Sequence, residues 1–130
     1  MIKQNIYLKE YKWYITVFYN TSIDDLNDII NKLKEMDISK NDLYLAYENI
    51  IDNKINTGFI YTNFKKRETL ITIGKANSKE EFINTVVHEA NHLQSHIATY
   101  YDIDEKGEEV SYLIGDIVKR MYSIFKKIIH

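Results

Sequence analysis

The chain of 130 residues has no cysteine, no proline and only four glycines. Without thiols there is neither a disulfide nor a thiolate ligand, so any bound metal must be held by His, Asp or Glu. The missing proline accompanies a chain rich in Asn, Ile, Lys and Tyr and carries no functional information. Charge of either sign is also scarce in the balance: 17 Lys and Arg against 19 Asp and Glu leave a net charge of −2 and a pI near 6.1. That is no electrostatic footprint for nucleic acid, although Lys126 and Lys127 make the end of the chain locally basic, so no nucleic-acid partner is expected. No apolar run is long enough to span a bilayer, and Met1-Ile2-Lys3-Gln4-Asn5 lacks the apolar core of a signal peptide. The expectation is a soluble, cytoplasmic protein with no membrane partner.

What is present is ordinary for a globular protein: 45% apolar and 28% charged residues, in a length that suits one domain over residues 1–130 with a single core. The hydrophobic period changes several times along it. Residues 12–19, KWYITVFY, are aromatic and β-branched and read as a strand, with a shorter run at residues 6–8 before it. Trp13 and its tyrosines suit a sheet face packed on helices. Ile23, Leu26, Ile29, Ile30, Leu33 and Met36 have helical spacing, with Ser22 and Asp25 arranged as a cap. A second helix is predicted over residues 41–51, its end blurring into Asp52-Asn53-Lys54. Residues 58–63 and 69–73 read as a β-hairpin whose tip, Phe64-Lys65-Lys66-Arg67-Glu68, is polar and solvated.

Gly74 ends that hairpin, and Ser78-Lys79-Glu80-Glu81 is a capping box that opens a helix running to about Tyr100. A last helix is predicted over residues 108–128. The fold class expected is α+β, with a small antiparallel sheet in front and helices behind.

The third helix contains His88-Glu89-Ala90-Asn91-His92, the pattern H-E-x-x-H. Histidines four apart stand one above the other on the same helix face, so both can turn a ring nitrogen to one metal ion. Glu89, on the neighbouring strip, is poorly placed as a ligand but well placed to take a proton from metal-bound water. At about 100° per residue, Thr85, His88, Glu89, His92 and His96 share a polar sector, and Phe82, Val86, Ala90, Leu93 and Ile97 an adjoining apolar one. A catalytic zinc takes three protein ligands and leaves a position for water. His96, about 6 Å further along the axis, is awkward as the third and is expected to flank the cleft. The longer metzincin pattern fails, because Ser95 stands where glycine is required. Glu108 and Glu109, at the start of the last helix, are the better candidates.

The pair H-E-A-N-H and, sixteen residues after its second histidine, E-E-V-S-Y-L resembles the gluzincin pattern, in which a glutamate from a downstream helix completes the zinc site. More closely, the segments GFIYTN, TLITIG, SKEEFINTVVHEANHL and GEEVSYLIG are similar to small zincin-like proteins of bacteriophages and prophages. The resemblance covers about half the chain. It implies a zincin-like fold with an H-E-x-x-H helix followed by a ligand helix, a Zn2+ cofactor on His88, His92 and Glu108, and Glu109 as the alternative ligand. It also implies zinc-dependent cleavage of a peptide or protein substrate, with Glu89 as general base. Larger gluzincins place an acidic residue four after the ligand glutamate, where this chain has Tyr112, leaving Asp116 or a backbone carbonyl to support His88. Tyr100, Tyr101, Tyr112 and His96 are the candidates for an oxyanion donor, and the strand at residues 69–73 is the candidate edge for pairing an extended peptide. The alternative reading is a zinc-binding module of little activity that serves as a regulatory or structural partner.

Overall fold

A computed structural model describes residues 1–52 and 54–129. Strands β1 (Ile2–Leu8) and β2 (Trp13–Thr21) are followed by helices α1 (Leu26–Glu35) and α2 (Lys40–Asp52). Then come strands β3 (Gly58–Asn63) and β4 (Glu68–Gly74) and helices α3 (Lys79–Tyr101) and α4 (Glu108–Phe125). The architecture is α+β, one four-stranded sheet packed against four helices. Among the described residues no helix is long and apolar enough to cross a membrane.

Two features differ from the sequence expectation. The sheet is mixed, not antiparallel: its order is β1-β2-β4-β3, with β1 and β3 antiparallel to their neighbours but β2 parallel to β4, Ile15 opposite Thr69 and Val17 opposite Ile71. The long connection through α1 and α2 permits the parallel pair. Burial decides which strand of the hairpin goes inward. Residues 69–73 of β4 are buried without a break, as suits a strand covered on both faces, whereas β3 is half-buried after Gly58, as suits an edge. Secondly, helices cover both faces. Phe18 and Leu70 point to α1 and α2, where Ile29, Leu33, Met36 and Ile50 meet them. Ile15, Val17, Tyr19, Ile71 and Ile73 point the other way, to Val86, Ala90, Leu93 and Ile97 of α3 and Leu113, Ile117 and Met121 of α4. The side chains alternate with the period of two that a strand imposes.

Local signals held where they were strong. Asp25 Oδ2 accepts from the Ser22 N–H at 2.9 Å, and Ser78 Oγ accepts from the Glu81 N–H at 3.1 Å, closing the starts of two helical segments. Ser39 does the same for α2 through the Asp42 N–H at 3.1 Å. α2 ends at Asp52, at the start of the stretch Asp52-Asn53-Lys54 where its end is expected to blur, and Asn53 lies outside the described residues. The hairpin tip is exposed at Phe64, Lys65 and Lys66, as expected, and is tied down as well: Lys66 pairs with Asp37 at 2.7 Å, and Arg67 donates to the Tyr100 hydroxyl at 3.1 Å. Trp13 is fully buried, edge-on to Tyr100 with ring centroids 5.6 Å apart.

Candidate metal centre

The core stripe of α3 fixes where its polar flank can lie. With Phe82, Val86, Ala90, Leu93 and Ile97 buried, Glu89 and His96 fall on the side of β3, and His88 and His92 project further out into solvent. The two histidine Nε2 atoms are 3.1 Å apart. Two nitrogens bound to one tetrahedral zinc at 2.0–2.1 Å stand about 3.3 Å apart, so the pair is already close to the spacing a metal needs. Ligand atoms of His88, Glu89 and His92 all lie within 4.8 Å of one another.

Glu89 is only 3% exposed, although its histidine neighbours face solvent. Its carboxylate lies over the bare backbone of Gly58, the first residue of β3. A Cβ added at Gly58 would stand 2.3 Å from Glu89 Oε2 and 2.8 Å from Thr85 Cγ2. Gly58 is therefore part of the site, a residue that sequence reasoning passed over. The only signal was a lone glycine at the head of a strand, which marks the close approach of another group.

Two turns along α3, His96 repeats the arrangement. Its Nδ1 is 2.8 Å from Thr62 Oγ1, Thr62 Oγ1 is 2.7 Å from Thr69 Oγ1, and Thr69 Oγ1 accepts from Trp13 Nε1 at 2.9 Å. Strand and helix thus run side by side, Gly58 under Glu89 and Thr62 under His96. Seven helical residues cover about 10.5 Å and four strand residues about 13 Å, so the match is good. Burial, and next the neighbouring His92, hold the His96 imidazole below its usual pKa, favouring the neutral ring.

The structure brings His88, Glu89 and His92 together but does not bring Glu108 to them. Glu108 lines a separate groove between the β1–β2 turn and α4, with Tyr11, Glu109, Tyr112, Asp116 and Arg120. There Glu109 accepts from the Tyr11 hydroxyl at 2.9 Å and Asp116 from Arg120 Nε at 3.0 Å, and among the described residues Asp116 has no histidine partner. Burial and then the Glu109 carboxylate push the Tyr11 phenol up to about 12. Of the oxyanion candidates, the Tyr100 hydroxyl receives Arg67, the Tyr101 hydroxyl donates to the Tyr11 carbonyl, and Tyr112 stands in the groove. No protein-family model, no curated protein and no solved structure matches the chain.

Proposed function

We propose that this chain is a zincin-like, zinc-dependent hydrolase of peptide bonds. The observation that carries the reading is the buried Glu89 carboxylate held within 4.8 Å of two solvent-facing imidazoles whose Nε2 atoms are 3.1 Å apart. A site that served structure alone would have no use for a base between its histidines. The donor set, two imidazoles with a carboxylate and no thiolate, suits Zn2+. Bound there, zinc would bring its water toward neutral pKa and polarise a carbonyl. His88 and His92 hold and orient that centre. Glu89, seated on Gly58, takes the proton from the attacking water and hands it to the departing amine.

The peptide edge has to be reassigned. The strand at residues 69–73 lies in β4, which is paired on both sides and offers no edge. β3 is the edge strand next to α3 and takes that role, with an extended peptide pairing along it beneath the histidines. The second reading, a zinc-binding module with little activity, is favoured by one observation: Glu108 stands outside the group, so two imidazoles and water would carry the metal.

Zinc content of purified wild type, His92→Ala, Glu108→Ala and Glu89→Gln, with hydrolysis of a peptide library by each, tests both readings. About one zinc per chain, lost in His92→Ala and kept in Glu89→Gln while hydrolysis disappears, is the expected result. Loss of zinc in Glu108→Ala would mean that α4 closes on the site when metal binds. No zinc in reconstituted wild type would sink the reading.

A further inference from the structure

The hydrogen-bond chain that ends on His96 has a direction. Trp13 Nε1–H is a donor only, so Thr69 Oγ1 must accept from it. Thr69 is fully buried, and among the described residues its hydroxyl has no other neighbour for its own proton than Thr62 Oγ1 at 2.7 Å. A buried hydroxyl proton left without an acceptor is costly. Thr69 therefore donates to Thr62, Thr62 donates to His96 Nδ1 at 2.8 Å, and the imidazole proton is left on Nε2. Run the other way, the chain would place two donors on Thr69 and strand its proton. His96 Nε2 makes no hydrogen bond with the described residues. It sits one turn beyond His92 on the same strip of α3, while the three tyrosines that might have filled a donor role are engaged elsewhere or face the separate groove.

We propose that His96 is a substrate-positioning residue, locked by the Trp13–Thr69–Thr62 chain with its proton on Nε2, which it donates to a carbonyl or carboxylate oxygen of a peptide lying along α3. The assignment rests on the peptidase reading for the identity of its ligand, though not for the locked tautomer. The four residues from His92 to His96 rise about 6 Å, or roughly two residues of extended chain at about 3.3 Å each. His96 thus meets an oxygen one or two residues from the bond that is cut, and it sets register instead of stabilising the reacting carbonyl.

The test is a nitrogen-15 spectrum of the imidazoles at neutral pH in wild type, Thr62→Val and Thr62→Ser, with and without zinc. Each sample is titrated with acetyl-Ala-Ala as the free acid and as the amide. His96 is expected as the Nε2–H tautomer in wild type and Thr62→Ser and as a mixture in Thr62→Val. The peptide should move its Nε2 resonance to saturation in the millimolar range, at least threefold more weakly in Thr62→Val. Binding of acid and amide alike identifies a carbonyl as the acceptor, and binding of the acid alone a carboxylate. An Nδ1–H or charged ring in wild type, or no saturable response to either peptide, overturns the proposal. The wild-type spectrum decides the tautomer even if Thr62→Val does not fold. A locked tautomer and a peptide response in protein that never takes up zinc would leave His96 standing and remove the metallopeptidase reading.

Discussion

The polar flank of α3 and the groove at the start of α4 hold the same kinds of residue, carboxylates among aromatic and cationic neighbours, and they are supported differently. On α3 two of the candidate groups lean on the sheet, Glu89 on the backbone of Gly58 and His96 on Thr62, while His88 and His92 face solvent. In the groove Glu109 is satisfied by the half-buried Tyr11 and Asp116 by the exposed Arg120, and among the described residues no fully buried group holds either acid in place. Chemistry requires groups fixed by their surroundings more than groups merely gathered together. By that measure the α3 flank is the better candidate, and the groove is a surface network.

Several substitutions would break or sharpen this contrast. The largest effect is expected from His92→Ala, which should take zinc from about one per chain to none, whereas Glu109→Ala in the groove should leave the metal in place; elemental analysis of the two side by side decides it. Gly58→Ala comes next. Both the Glu89 carboxylate and Thr85 have to give way to the new methyl, so zinc should stay, peptide hydrolysis should fall at least tenfold, and thermal unfolding should report a loss of about 1–3 kcal/mol from overpacking. If full activity survives in Gly58→Ala, Glu89 is not held in the way the packing indicates.

Trp13→Phe keeps most of the buried ring and removes the donor that feeds Thr69. A cost of about 1–2 kcal/mol in chemical denaturation is expected, together with a mixed His96 tautomer in the imidazole spectrum.

The smallest effect belongs to the groove. The folded-state pKa of Tyr11, about 12, lies above the ordinary 10.0, so its contribution to stability is complete below pH 10 and lost as pH rises toward 12. In Glu109→Gln an ultraviolet titration should show one tyrosine ionising earlier, though still late, because burial is the larger cause. An unchanged titration would mean that the Tyr11–Glu109 bond does not persist in solution.

Much of this was legible in the residues, and the reason is range. The helix bearing His88, Glu89 and His92, its Ser78 cap and the β3–β4 hairpin all rest on contacts within a few residues, where the period of the pattern is decisive. The parallel pairing of β2 with β4 was not legible, since the runs at 12–19 and 69–73 look alike whichever way they pair. Gly58 was hidden because its importance lies in what it lacks, a side chain where Glu89 comes to rest. Thr62 and Thr69 looked like strand filler, and their alignment with Trp13 arises only from the sheet register. Glu108 was selected by resemblance to a pattern, and the packing of α4 on β1 and α3 puts it in the groove instead.

The range of these contacts also bears on the order of folding. His88 and His92 are four apart on one helix, so a chain that has formed little more than α3 already has both imidazoles side by side. Glu89 meets Gly58 across 31 residues (89 minus 58), His96 meets Thr62 across 34, and Trp13 meets Thr69 across 56. Contacts of that separation form late, once long loops have closed. A newly made chain would therefore bring its two imidazoles together before Glu89 and His96 are seated, and the hydrolysis proposed for the site would have to wait for the complete sheet.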